Sequence, residues 1–112
     1  MSKAAFWHLA TKTASTKRRP KVSAGLSGAP VIHLGNIRCT PLNNASGGDE
    51  LRITYKIETL NILLDTMVDD DEDIVQGDIM VMDDVEYPVR LVLRKHFRGE
   101  TYRRVIVEDL RK

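Results

Sequence analysis

Between residues 51 and 110, short runs of alternating apolar and polar residues are separated by turn signals. This pattern restricts the chain to a small antiparallel β architecture. LRITYKIE (51–58) alternates cleanly, with Leu51, Ile53, Tyr55 and Ile57 on one face, and reads as a strand rich in β-branched and aromatic residues. In TLNILLDTMV (59–68), Leu60, Leu63, Leu64 and Met67 fit a helix while Leu60, Ile62 and Leu64 fit a strand. The length of the run and its neighbour favour β. IMVM (79–82) follows the turn Gln76-Gly77-Asp78 and is linked by Asp83-Asp84 to VEYPVRLVLR (85–94). There Val85, Tyr87, Val89, Leu91 and Leu93 share a face. Pro88 cannot donate to a ladder, so it belongs at an edge or a bulge. KHFRGE (95–100) is a turn and TYRRVIVEDL (101–110) a last strand. These elements predict a mainly β fold, a small antiparallel barrel or sandwich.

The first third has a different texture. Residues 10–28 are rich in Ser, Thr, Ala, Gly and Lys/Arg without a period of 2 or 3.6, and Phe6, Leu9 and Ala10 have the spacing of a helical turn. The expected organisation is a basic N-terminal arm over residues 1–35, extended or partly helical, followed by a small β-barrel domain over residues 36–112. VIHLGNIRCTPL (31–42) resembles an extended segment broken at Gly35, and NNASGGD (43–49) a loop. A chain of 112 residues supports one compact domain, and with 5% aromatic residues its core must be aliphatic. The single cysteine, Cys39, cannot form an internal disulfide. No apolar run approaches the length of a membrane span or a signal-peptide core. A soluble protein of a reducing compartment is the expectation.

A net charge of +1 conceals strong segregation. Residues 1–48 carry seven Lys/Arg and no acid, residues 65–86 ten Asp/Glu and no base, and residues 87–112 eight Lys/Arg against three acids. A near-neutral total argues against a general nucleic-acid coat, and the segregation argues for contacts within the chain, with another copy or with a charged polymer. Lys17, Arg18, Arg19 and Lys21 form the densest basic feature and read as a partner-binding arm. Asp69, Asp70, Asp71, Glu72 and Asp73 repel one another in any packed element, so they form a loop. That loop is expected to meet a neighbouring subunit or to pair within its own chain.

The residue types that carry chemistry are present without the spacing chemistry needs. Cys39, His8, His33 and His96 are scattered and form no metal-ligand pair, and the acidic run lacks the alternation and distant Glu of a calcium loop. No glycine cluster precedes a Lys-Ser/Thr pair to cradle phosphate. Arg38 beside Cys39 has no accompanying base, and the clustered carboxylates share one environment where acid–base work needs two. No catalytic residue, metal or cofactor is expected.

The stretch DIVQGDIMVMDDVEYPVRLVLRKHFRGETYRRVIVEDL (73–110) is similar to the head-closure proteins of tailed bacteriophages, also called stopper or head–tail connector proteins. The resemblance rests on an acidic loop, a Gly-Asp turn, a short apolar strand, Glu-Tyr-Pro-Val-Arg and an Arg-rich final strand. With a looser fit before it, the resemblance covers about residues 36–112. The matched positions are Gly77 and Asp78 at the turn and Tyr87, Pro88, Val89 and Arg90 on the following strand. All of these are fold positions. The resemblance implies a β-barrel subunit of a ring, commonly of about twelve copies, that sits beneath the portal, extends the DNA channel and docks the tail. Its implied partners are its own copies, a portal or adaptor protein, a tail-terminator or tail protein and the passing genomic DNA. No membrane is implied. Its implied location is the virion neck, reached from the host cytoplasm during assembly. In that setting an acidic loop lining a channel would repel phosphates. A small-barrel nucleic-acid-binding module, or a tail-terminator ring of the same neck, are the alternatives. The first lacks interleaved aromatic and basic residues.

Overall fold

The computed structural model describes residues 9–23, 26–97 and 99–111, with side chains other than those of residues 21–23, 26–27 and 97. Its elements are β1 (Lys12–Arg18), β2 (Lys21–Ser23), β3 (Leu26–Ser27), β4 (Val31–Cys39), β5 (Asn43–Asn44), α1 (Gly48–Tyr55), β6 (Ile62–Asp69), β7 (Ile79–Met82), β8 (Val85–Phe97) and β9 (Glu100–Asp109). The fold is mainly β. Seven strands form one antiparallel sheet in the order β4-β1-β7-β8-β9-β6-β5, and a bridge between Cys39 of β4 and Val68 of β6 closes it into a ring. Among the described residues, β2 and β3 pair with each other, as a separate two-stranded sheet.

Alternation along the strands fills the interior. Ala14, Ile37, Cys39, Leu64, Val68, Met80, Met82, Tyr87, Val89, Val105 and Val107 are buried in one cluster. Residues 12–18, expected as part of an arm, are a strand paired on both sides, with β4 and with β7. Its inward residues, Ala14 and Thr16, are both buried, and they are small beside the Ile, Leu, Val, Met and Tyr side chains of the rest of the interior. A strand whose buried face is Ala and Thr has little hydrophobic contrast to betray it. β4 runs through residues 35 and 36 as one strand, but its register with β1 shifts there and Asn36 sits at φ +53°, so the expected break at Gly35 is an irregularity within a strand. Residues 12–18 and 31–39 share the sheet that holds residues 62–109.

Residues 51–58 are the second correction. Gly48–Tyr55 is a helix, not a strand. Gly47 enters it at φ +69°, Asp49 and Glu50 place negative charge in its first turn, and Arg52 bonds Asp49 at 2.9 Å. Lys56 ends it in the left-handed region, and the Ile57 N–H donates to the Arg52 carbonyl at 3.0 Å. The helix buries Leu51, and Ile57 just beyond it, in a second cluster with Leu63 and Ile106 from the outer face of the sheet. Ile53 is left 80% exposed. Alternation groups Ile53 with Leu51, but packing of Leu51 and Ile57 against Leu63 and Ile106 favours a helix that turns Ile53 to solvent.

β8 shows why alternation alone misplaces side chains. Val89 pairs with Val107, and the next pair is Leu91 with Ile106, so Arg90 is an extra residue in a bulge. Before the bulge, Tyr87 and Val89 point into the ring. After it, Val92 takes the inner cluster, and Leu91 and Leu93 pack outward against the α1 cluster. Leu91 and Leu93 therefore do not share the face of Tyr87. Pro88 closes the β7–β8 ladder opposite Ile79, two residues before the bulge. Asp83 and Asp84 form the two-residue β7–β8 turn, with φ of +52° and +62°.

Candidate partner-binding surfaces

The basic residues singled out at the end of β1 are brought against the acidic segment of the same chain. Lys17 Nζ lies 2.6 Å from Glu86 Oε2. Arg18 grips Asp78 with Nε and Nη2 at 2.8 and 2.9 Å, while its Nη1 reaches Asp73 Oδ2 at 3.2 Å and its Nη2 donates to the Asp73 carbonyl. The Asp78 side chain is 2% exposed, and it also accepts from the Val75 N–H at 3.1 Å. The turn is fixed around this pair. Gly77, at φ +98°, donates to the Val89 carbonyl, and the Val89 N–H donates back to the Asp78 carbonyl at 2.8 Å. Gly77, Asp78 and Val89 thus form one hydrogen-bonded unit with Arg18. Spacing along the chain gave no sign of that, because 60 residues separate Arg18 from Asp78.

Asp73 also faces His33 Nε2 at 3.1 Å, and hydrogen bonds from Arg18 and then His33 hold its carboxyl below the usual range. Asp70 is met by Arg94 at 3.0 Å and by Arg103 at 3.9 Å, and Arg103 donates to the Glu72 carbonyl at 2.8 Å. The acidic run is therefore partly neutralised within the chain. Asp69 ends β6 and accepts from the Asp71 N–H, and Asp71 is exposed. The Glu72 carboxyl is pushed above its usual value by burial and by the like charges of Asp69 and Asp71. Arg19 is exposed, and Lys21 lies in β2 with its side chain outside the described residues. Beside the loop is a cleft of about 390 Å³, walled by Ile74, Val75, Leu91 and Val92 and rimmed by Arg94 and Arg103.

At the other end of the β6–β9 ladder lies a surface that the sequence did not flag. Leu60 is fully exposed, and Ile62 and Leu110 are more than half exposed. The turn that carries Leu60 is held by polar bonds on both sides. Buried Glu108 accepts from Thr59 Oγ1 at 2.8 Å and Asn61 Nδ2 at 2.6 Å, the Asn61 N–H donates to Thr59 Oγ1, and Arg52 donates to the Asn61 carbonyl at 2.7 Å. Arg90 lies 3.6 Å from the other Glu108 oxygen, so the bulge residue supports the same turn from β8. Tyr87 and Pro88 do not take part. Tyr87 is in the core, with Arg111 stacked over its ring at 5.6 Å.

Cys39 is fully buried, and desolvation raises its thiol pKa. Among the described residues, no group of three or more His, Cys, Asp or Glu side chains is placed to hold a metal ion, and no helix is long and apolar enough to cross a membrane. No family model, curated protein or solved structure matches the chain.

Proposed function

We propose that this chain is a non-enzymatic virion structural protein, a head-closure ring subunit that joins a phage portal to the tail and extends the DNA channel. The resemblance over residues 36–112 suggests the class. The observation that carries the reading is the Leu60 turn, a fully exposed leucine held between two residues pinned by a buried glutamate. Ordering polar groups to present an apolar side chain to water costs free energy and is recovered when a protein surface covers it. A second copy of the chain is the partner for that surface. The commitment of Lys17 and Arg18 to Glu86, Asp73 and Asp78 leaves them engaged inside the domain, which weighs against a phosphate-gripping arm.

Mass photometry of the full chain, with negative-stain imaging at low and moderate salt, tests this. Multi-copy rings that disperse on Leu60→Glu are expected. A chain that stays monomeric yet binds duplex DNA with a steep salt slope would identify a nucleic-acid module instead, and a monomer that binds nothing would also overturn the reading.

A further inference from the structure

The Leu60 turn presents more than one side chain. Thr59 is turned inward to Glu108, while Glu58 and Leu60 on either side of it are exposed. The turn is therefore an apolar knob with a carboxylate beside it, held by the bonds that Glu108 accepts and by the Arg52 bond to the Asn61 carbonyl. Nothing in its own domain covers Leu60, which is fully exposed.

The cleft beside residues 74–76 has the matching chemistry. Its walls are apolar, with Val75 46% exposed, and among the described residues its charged lining is Arg94 and Arg103, with no acid. The Arg94 side chain stays 68% exposed while it meets Asp70 through Nη2, and a guanidinium has donors to spare for a second carboxylate. The length of β6, from Ile62 to Asp69, separates the knob from the cleft, so a copy cannot fill its own. Every copy carries both.

Building on the ring reading, we infer that the Leu60 turn of one copy docks into this cleft of the next, with Leu60 against Val75 and Leu91 and the Glu58 carboxylate facing the Arg94 and Arg103 guanidiniums. An apolar side chain seated in an apolar pocket supplies the affinity. The carboxylate and the basic rim set the register, and salt weakens that part of the contact. A contact between two different patches of like subunits is head-to-tail, and it propagates around a ring when the rotation closes.

The test mixes two full-length variants and reads them by sedimentation velocity. Leu60→Glu spoils the knob and leaves the cleft, and Val75→Glu puts a carboxylate in the cleft and leaves the knob. Each alone is expected to weaken self-association by about tenfold or more. An equimolar mixture should form dimers and stop there, because the knob of the Val75→Glu chain and the cleft of the Leu60→Glu chain are the one intact pair. Glu58→Arg should weaken association by about tenfold at low salt and less at high salt. An unchanged melting temperature separates lost contact from lost fold, and Arg94→Glu, at the exposed rim, replaces Val75→Glu if that variant is unstable. Assembly unmoved by the cleft variant or by Glu58→Arg, or a mixture that stays monomeric, overturns the contact and leaves the ring reading standing. A wild-type chain that never associates overturns both.

Discussion

The two ends of the β6–β9 ladder use polar side chains in opposite ways. From Ile62 to Asp69 the ladder spans seven residue steps, roughly 23 Å. At the Asp69 end, Arg18, Arg94 and Arg103 reach in from separate strands to hold a loop of like charges, and they neutralise part of it, at Asp70 and Asp73. At the Ile62 end, Glu108, Asn61, Thr59 and Arg52 hold a turn whose central side chain, Leu60, makes no use of the protein interior. The first network stabilises the fold. The second displays a surface. A substitution at the first should therefore be felt in stability, and one at Leu60 in assembly.

The largest expected effect is at the first end. Asp78→Ala removes a carboxylate with a 2%-exposed side chain and leaves the Arg18 guanidinium facing a vacated site, and we expect about 3 kcal/mol of destabilisation in urea unfolding. A loss under about 0.5 kcal/mol, the range of surface changes, would show that the Arg18 pair is ornamental. Tyr87→Ala, in the core between the two ends, is expected to cost about 3 kcal/mol by cavity formation, and it calibrates the first measurement. Glu108→Ala should cost about 1–2 kcal/mol, because it leaves the Thr59 and Asn61 donors without their acceptor, and it should also weaken assembly. Leu60→Glu should leave stability within about 0.5 kcal/mol of wild type while dispersing assemblies. If Leu60→Glu destabilises as strongly as Glu108→Ala, the contrast between the two ends fails.

The smallest effect is a matter of sign. The Asp73 carboxyl is lowered by Arg18 and His33, so its favourable contribution is present above the usual carboxylate range and fades as the pH falls through its lowered pKa. The Glu72 carboxyl is raised, so its ionisation opposes folding near neutrality, and protonation relieves the cost as the pH falls toward the carboxylate range. Glu72→Gln should raise stability at pH 7 by a few tenths of a kcal/mol and lose that advantage in acid. Chemical denaturation at pH 7 and pH 4 checks both. A Glu72→Gln chain less stable than wild type at pH 7 would mean that Glu72 is paired to a cation.

Much of the β framework can be read from the chain directly. IMVM, bounded by a Gly-Asp turn and an Asp-Asp link, is β7 as expected, and TYRRVIVEDL corresponds to β9 within a residue. These strands are legible because each carries β-branched or large apolar residues at period 2 beside a local turn signal, and both features survive in one dimension. The Leu60 surface is not legible in this way. Leu60 belongs to the same apolar run as Leu63 and Leu64, and only the bend before Ile62 separates an exposed leucine from two buried ones.

Sequence by itself determined the mainly β character, the turn at Gly77-Asp78, the aliphatic interior and the segregation of charge. These follow from side-chain volume, backbone preference and period along the chain. Only the tertiary structure decided that Leu51–Tyr55 of LRITYKIE is helical, that a strand of Ala and Thr closes the sheet between β4 and β7, and that Arg90 turns Leu91 and Leu93 outward. It also decided that Arg18 spends its charge on Asp78, 60 residues away. The reason is common to all four. Each outcome depends on which neighbour a segment meets across space, and that neighbour is supplied by ladder register and ring closure, not by adjacency in the chain.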